Sequence, residues 1–216
     1  MRRRGRSPAG KVKIEWSPNF AYALGLLAAD GCLSPDGRHI VFVSKDREQV
    51  ENFLRALGIV NSIGKNSTGH WRAQFGDVLF YRYLLSIGFM PNKSKIIGAV
   101  SVPREYFFDF LRGSFDGDGS TYSYWDPRWK SSFMFYTVFA SASMSHINWL
   151  RREISKRLGV KGHITRDREG TTMQLKYAKR TSLKLLRTMY GGGDVLCLRR
   201  KRLKIVRMLA IVGQKL

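Results

Sequence analysis

Two aspartates in matching sequence contexts carry the clearest chemical signal in the chain. Residues 23–31 read ALGLLAADG and residues 111–119 read LRGSFDGDG, and the two segments align without a gap. Asp30 and Asp118 occupy the same position in both, directly before the closing glycine. A single Asp-Gly pair usually marks the turn after a helix. Two copies in register, behind matched small residues, favour a shared function for the two carboxylates.

Small residues recur at one spacing in front of both aspartates. Gly25 and Ala29 stand four residues apart, as do Gly113 and Gly117, so each pair lies on one stripe of a helix. A glycine inside a helix costs about 0.5–1 kcal/mol relative to alanine, so matched glycines require a packing reason. We expect the two helices to pack backbone against backbone at a pseudo-twofold axis, which brings both carboxylates to one end of the interface.

Two carboxylates held close together need a compensating positive charge. Like charges at short distance are unfavourable unless a proton or a cation lies between them. Hard oxygen donors without soft ligands nearby favour Mg²⁺, with Mn²⁺ as the alternative. Phosphodiester hydrolysis suits such a site, because metal ions activate water and stabilise the developing charge. Asp116 has Ala28 as its counterpart, so we assign it a structural or capping role and not metal binding.

The surrounding pattern is also repeated, and it predicts the elements that position the two acids. Helix-start signals precede both motif segments, at 17–18 and at 103–105. Strand-like stretches and helices then alternate in the same order in both halves. In the first half the strands are 38–43 and 70–75 and the helices 46–57 and 78–87. In the second half the strands are 132–140 and 171–177 and the helices 145–158 and 182–190. The prediction is an α+β protein of two pseudo-symmetric αββαββα halves packed through the motif helices. Its antiparallel sheets each leave one face free.

These motifs resemble the LAGLIDADG homing endonuclease family, in the single-chain form that carries two motif copies. The resemblance covers residues 19–207 and includes the Leu-Gly ending of both middle helices and the PNKS segment at 91–94. It implies that the last acid of each motif binds the catalytic divalent metal, and that the sheets form a saddle over double-stranded DNA. It also implies that each half reads one half-site, and that cutting across the minor groove leaves short 3′ overhangs. The predicted metal site consists of Asp30, Asp118, Ala29 and Gly117.

Family members place basic or polar side chains beside the metals, where they order water and neutralise the scissile phosphate. By position, Ser44 and Lys45 match such a pair in the first half, and Lys93 and Lys201 match through the PNKS and LRRK segments. A nonspecific phosphate contact or a solvated side chain is the alternative for each lysine. The second half reads SASM at 141–144, without a lysine, which predicts unequal cutting of the two strands. The predicted catalytic residues are Asp30, Asp118, Ser44, Lys45, Lys93 and Lys201.

Polar strand residues on the free sheet faces are the candidates for recognising the DNA sequence, because they can form hydrogen bonds with base edges in the major groove. The sequence does not fix the strand register that decides which of them face DNA. Tyr122, Tyr124, Trp125 and Trp129 fall in a predicted long turn, where packing on DNA sugars is favoured over closing a hairpin. The candidate DNA-binding residues are Arg38, Arg72, Gln74, Lys130, Arg166, Arg168, Gln174 and Lys176.

The charge balance favours a polyanionic partner. The 216 residues include 38 Lys and Arg against 16 Asp and Glu, a formal net charge of +22. Basic residues without acids fill both ends of the chain, at 1–14 and 199–216, and the part between them is basic as well. Phosphate contacts should therefore spread over the folded body. We expect a flexible basic arm over 1–16, a first LAGLIDADG half over 17–100 and a second over 101–216.

Composition excludes several other classes of protein. With 44% hydrophobic residues the chain is not mainly disordered. Cys32 and Cys197 lie far apart without a Cys/His cluster, so neither a disulfide scaffold nor a zinc site is expected. No apolar run approaches the roughly 20 residues of a spanning helix, and the amino terminus lacks a signal-peptide core. We expect a soluble, intracellular, non-secreted monomer with no membrane partner.

The first functional hypothesis is a metal-dependent, site-specific double-stranded DNA endonuclease from a free-standing or intron-borne reading frame. No splicing nucleophile opens the chain and no His-Asn pair closes it, so we do not expect a complete intein. The alternative is a binding protein of the same fold with weak or no cleavage, either a transcription regulator or an RNA splicing helper (maturase). Loss of the motif acids would favour that alternative, and both acids are present.

Overall fold

The repeat seen in the sequence is also a repeat of structural elements, in a computed structural model that describes residues 10–216. The first half contains α1 (Pro18–Asp30), β1 (Gly31–Leu33), β2 (His39–Ser44), α2 (Arg47–Ala56), β3 (Ile63–Lys65), β4 (Trp71–Gly76) and α3 (Val78–Ser86). The second contains α4 (Phe107–Asp118), β5 (Ser120–Trp125), β6 (Phe133–Ser141), α5 (Met144–Leu158), β7 (His163–Arg166), β8 (Met173–Ala178), α6 (Lys179–Tyr190) and α7 (Arg199–Ile211). Short 3-10 turns at Lys93–Lys95 and Arg104–Tyr106 lie between the halves.

Each half contains one four-stranded antiparallel sheet. The strand orders are β1-β2-β4-β3 and β5-β6-β8-β7, so the two sheets have the same topology. Between β2 and β4, Phe42 lies opposite Ala73 and both are buried, whereas Val43 lies opposite the exposed Arg72. This alternation packs one face against helices and leaves the other free. The predicted α+β class and its two αββαββα halves are confirmed. None of the helices among residues 10–216 has the length and apolarity that a membrane crossing requires.

The motif helices α1 and α4 pack backbone against backbone, as the glycine spacing predicts. A Cβ atom added to Gly25 would lie 2.0 Å from the carbonyl oxygen of Phe110. One added to Gly113 would lie 2.1 Å from the carbonyl oxygen of Tyr22. No side chain fits at either position, so the two glycines set the distance between the helices and therefore between the halves.

Gly113→Ala is expected to destabilise the protein by about 3 kcal/mol, at the upper end of the usual cost of overpacking, because the added methyl group meets backbone that cannot rotate away. Gly64→Ala is the matched control, since a Cβ on that glycine meets nothing within 4 Å. Urea unfolding followed by circular dichroism measures both variants. Equal stability losses in the two variants would contradict the tight helix contact.

The predicted αββαββα halves require four strands each, but the sequence located only two strands in each half and misassigned one segment. β1 and β3 have only three residues each, too few for an alternating pattern, and β7 has only four. β5 is exposed at most of its positions, so it lacks the apolar alternation that marks a strand. The prediction of a long turn over Tyr122, Tyr124 and Trp125 is therefore wrong: these residues form β5, which pairs with β6 as a hairpin, and only Trp129 lies in the turn.

The prediction of a flexible arm over 1–16 is wrong for residues 10–16. Residues 1–9 lie outside the described residues, but residues 10–16 are anchored to the folded body. The backbone N–H groups of Lys11 and Val12 donate to Asp77 Oδ2 at 2.6 and 2.9 Å, while Asp77 Oδ1 caps α3. Val12 is buried, and Trp16 packs against Phe20 with ring centroids 5.6 Å apart. The sequence pattern missed this because the anchoring carboxylate lies more than sixty residues away.

Candidate active site

The two motif acids lie at one end of the helix pair, where the carboxyl termini of α1 and α4 meet. Asp30 Oδ2 faces Gly117, at 3.1 Å from the position a Cβ atom would take there. Burial and then the negative charge of Asp118 raise the pKa of Asp30 to about 6. Burial also raises the pKa of Asp118. The two carboxylates are therefore close enough to repel each other, as the sequence predicts.

Two lysines satisfy the carbonyl groups at these helix ends, where the unpaired carbonyls and the helix dipole attract cations. Lys93 Nζ donates to the carbonyl oxygen of Ala29 at 3.2 Å. Lys201 Nζ donates to the carbonyl oxygens of Phe115, Gly117 and Gly119 at 2.7, 2.8 and 2.6 Å. Burial lowers the pKa of Lys93, and it lowers the pKa of Lys201 to about 8. The structure thus places both predicted lysines beside the acids.

Two clefts open beside the acid pair. The Asp30 cleft has a volume of about 390 Å³ and the Asp118 cleft about 300 Å³. The polar residues that line the Asp30 cleft together with its aspartate are Ser44, Lys45, Asp46, Gln49, His70 and Arg200. The polar residues of the Asp118 cleft are Lys93, Ser94, Ser141 and Thr172, with Ala142 in the position that corresponds to Lys45. The predicted residues Ser44 and Lys45 are therefore brought to Asp30, and only Lys93 supplies a positive charge in the other cleft.

A hydrogen-bonded relay holds the Asp30 carboxylate and has no equivalent at Asp118. Ser44 Oγ donates to Gln49 Oε1 at 2.7 Å, and Gln49 Nε2 donates to Asp30 Oδ2 at 3.2 Å. In the second half His146 stands where Gln49 does, five residues after the serine that ends the strand. Its Nδ1 instead bonds the carbonyl oxygen of Gly98 at 2.8 Å. The sequence indicated that the two halves differ at Lys45, which the second half lacks. The structure shows that they also differ at Gln49, the residue that orients Asp30.

Four polar residues of the Asp30 cleft were not predicted from the sequence: Asp46, Gln49, His70 and Arg200. Asp46 directly precedes α2, Gln49 lies on α2 and is buried, His70 directly precedes β4, and Arg200 is the second residue of α7. Arg200 makes a two-pronged ion pair with Asp46, Nε–Oδ1 2.9 Å and Nη2–Oδ2 2.7 Å, which ties α7 to the first half. The one available signal was that Arg200 neighbours the predicted Lys201. Arg200 and Asp46 are 154 residues apart, so no local sequence pattern predicts their ion pair.

Asp116 is fully buried and acts as a structural group, in agreement with the sequence assignment. Its carboxylate accepts hydrogen bonds from Tyr22 Oη at 2.8 Å, Tyr190 Oη at 2.7 Å and the Leu198 backbone N–H at 2.7 Å. Burial raises its pKa. Because Leu198 directly precedes α7, Asp116 helps to fix the start of that helix, and with it Lys201.

The strand register shows which of the eight candidate DNA-binding residues lie on a free sheet face and which do not. Arg72 and Gln74 alternate with the buried Ala73 and Phe75, so they lie on the free face of the first sheet. Gln174 and Lys176 alternate in the same way on the second. Arg166 pairs with the buried Met173 and so lies on the helix-covered side at the end of β7, against the free-face expectation. The remaining three, Arg38, Lys130 and Arg168, lie in turns.

The donor set fits a hard divalent cation. Asp30 and Asp118 offer carboxylate oxygens, and burial raises the pKa of both, with the negative charge of Asp118 adding to the rise at Asp30. Ala29 and Gly117 offer only backbone carbonyls, which already accept hydrogen bonds from Lys93 and Lys201. Over residues 10–216, no group of three or more His, Cys, Asp or Glu side chains could hold a metal ion. Any such ion would therefore rely on the two aspartates as its charged ligands.

Comparison with known proteins identifies the fold. No family model matches the chain, and no curated protein matches it. Among solved structures, the homing endonuclease I-WcaI bound to its DNA recognition sequence superimposes with a TM-score of 0.58 at 14% identity, covering 88% of this chain and 86% of that one. The homing endonuclease I-DmoI in complex with DNA and Mn matches with 0.55 at 16%, covering 83% and 98%. The N-terminal LAGLIDADG domain of WhiA matches with 0.54 at 18%, covering 89% and 88%. With its two motif copies, the chain therefore has the LAGLIDADG fold in its single-chain, two-motif form.

Proposed function

We propose that this protein is a site-specific double-stranded DNA endonuclease, which hydrolyses phosphodiesters with a divalent metal held by Asp30 and Asp118. The observation that carries the proposal is the close approach of the two carboxylates at the end of the helix pair. Their raised pKa values mean that the folded protein retains unfavourable charge there. Unfavourable charge in a cleft is typical of a catalytic site and is hard to explain by stability alone.

The residues of the Asp30 cleft have distinct roles in this proposal. A bound Mg²⁺ ion would polarise the scissile phosphate and lower the pKa of the attacking water. Gln49 holds the Asp30 carboxylate, and the exposed Lys45 is free to order water and to neutralise charge on the phosphate. Lys93 and Lys201 keep the helix ends in place beside the acids.

Double-stranded DNA is the proposed partner. The net charge of +22 and the polar free faces of both sheets suit a phosphate backbone and base edges. Two of the solved structures with this fold, those of I-WcaI and I-DmoI, contain DNA. We propose that Arg72 and Gln74 read one half-site while Gln174 and Lys176 read the other.

Affinity for a random-sequence 30-bp duplex is expected to fall roughly 1,000-fold between about 50 and 200 mM salt, because counterions return to each phosphate that the protein releases. Fluorescence anisotropy measures this affinity. A flat salt response would contradict the basic DNA-binding surface.

Cleavage is tested separately, by incubating the protein with a pooled duplex library and Mg²⁺. Cut products with short 3′ overhangs are expected. Binding without cleavage would favour the second candidate function, a regulator or RNA splicing helper that retains the fold. The specific observation in favour of that candidate is the Asp118 cleft, which lacks the lysine and glutamine of its counterpart.

The cleavage rate is expected to rise with pH through about 6. Asp30 has a pKa of about 6 in the folded protein, above its usual value, so it holds a proton at lower pH and becomes a metal ligand only as it ionises. Initial rates at saturating DNA between pH 5 and 7.5 measure this dependence. A rate that is constant across this range would contradict the role of Asp30.

A further inference from the structure

A basic groove lies between α7 and the edge strand β5, outside the catalytic clefts. It has a volume of about 340 Å³, and its polar lining consists of Ser123, Arg200, Lys204 and Arg207, beside the apolar Leu203, Met208 and Ile211. Among residues 10–216, no acidic side chain lines it. We call it the α7 groove. A groove with three cations along its α7 wall and no acid suits an anion.

The cations of α7 have few acidic partners. Helix α7 contains six basic residues and no acid. Arg200 pairs with Asp46, whereas Lys204 Nζ is bonded only to the carbonyl oxygen of Thr121, and Arg207 makes no ion pair within residues 10–216. Lys204 stands four residues after Arg200 and three before Arg207, so like charges are neighbours on one face of the helix. Their repulsion would be relieved by a bound anion.

The α7 groove adjoins the Asp30 cleft, because Arg200 lines both. A DNA strand whose phosphate lies beside Asp30 would therefore meet Arg200 next, and then Lys204 and Arg207 further along α7. In the second half, α7 follows α6. In the first half, the 3-10 turn Lys93–Lys95 follows α3 instead, so that half lacks a helix equivalent to α7 within residues 10–216. The groove thus makes the molecule asymmetric.

We propose that the α7 groove is an additional binding site for DNA backbone phosphates, which extends the contact with the duplex beyond the cleft on the side of α7. The inference rests on the proposed function, because it takes DNA as the polyanion. It adds Lys204 and Arg207 to the DNA-contacting residues, and neither belongs to the catalytic clefts.

The test compares two double variants of equal charge. Lys204→Gln/Arg207→Gln removes the two groove cations, and Arg152→Gln/Lys156→Gln removes two exposed cations from α5, which packs on the covered side of its sheet. Binding to a random-sequence 30-bp duplex is measured from about 50 to 300 mM salt. The groove variant is expected to reduce the slope of log K against log salt by about 1.8, which corresponds to two lost phosphate contacts, while the control keeps the wild-type slope.

The possible outcomes separate this inference from the proposed function. If wild type binds duplex DNA and the two variants have equal slopes, the groove inference is overturned and the proposed function stands. If wild type does not bind duplex DNA, both fail. If the groove variant loses affinity for phosphatidylserine vesicles and none for the duplex, the groove faces a membrane and the inference is likewise overturned. Unchanged thermal unfolding of both variants confirms that the slopes report binding.

Discussion

Exchanging either motif aspartate for asparagine is expected to reduce Mg²⁺-dependent cleavage by roughly 1,000-fold, while affinity for duplex DNA is retained. Asparagine keeps the shape of the side chain but removes the charge that would hold the proposed metal. Asp46 also lines the Asp30 cleft, but it is paired with Arg200, and Asp116 is buried and hydrogen-bonded to Tyr22 and Tyr190, so neither acid is placed to take over. Cleavage of a target from the duplex library, with and without Mg²⁺, measures the loss.

A second readout distinguishes a catalytic acid from a structural one. The pKa of Asp30 is raised to about 6 in the folded protein, so the folded state holds its proton more tightly than the unfolded state does. The contribution of Asp30 to the free energy of unfolding therefore falls as pH rises from about 4 to about 6, by up to about 3 kcal/mol. Asp30→Asn removes this loss, so without metal the variant is expected to be more stable than wild type at pH 7. Urea unfolding at pH 4 and pH 7 measures the difference.

Asp194→Asn provides the matched control, since this exposed acid lies outside both clefts. It is expected to change neither cleavage nor stability. Retained cleavage in both Asp30→Asn and Asp118→Asn would remove the metal-anchor assignment. Loss of stability in Asp30→Asn would show that its carboxylate serves the fold.

The sequence predicted the parts of this molecule that depend on local pattern. Helix boundaries, the close packing at Gly25 and Gly113 and the convergence of Asp30 and Asp118 all follow from a repeated spacing of small and acidic residues. The repeat is a strong signal because two copies must satisfy the same geometry, so each supports the interpretation of the other.

The parts that the sequence did not predict depend on contacts between distant segments. Asp77 holds the segment at residues 11–12, Asp46 pairs with Arg200, and Gln49 orients Asp30. A buried polar side chain finds its partner through the fold, and no spacing along the chain encodes that partner. Strand register was inaccessible for the same reason, because a shift of one residue reverses every side chain.

Unequal cutting of the two DNA strands is the second large effect that the structure predicts. The Asp30 cleft contains Lys45, His70 and Arg200, and its acid is held by Gln49. The Asp118 cleft contains Ala142 at the position of Lys45, and its His146 points to a backbone carbonyl. Loss of a positioned charge-stabilising donor typically costs about 100-fold in rate. We therefore expect the strand served by the Asp30 cleft to be cut about 100-fold faster.

A supercoiled plasmid that carries the target measures this difference, because the nicked circle accumulates before the linear product. Lys45→Ala should slow the first cut by about 100-fold, and Ala142→Lys should speed the second cut and so reduce the nicked intermediate. Ala142→Met is the control for side-chain bulk without charge. Equal rates for both strands in the wild type would mean that Lys45 and Gln49 do not limit the chemistry. If Ala142→Met speeds the second cut as much as Ala142→Lys does, the effect comes from packing at the end of β6 and not from the ammonium group.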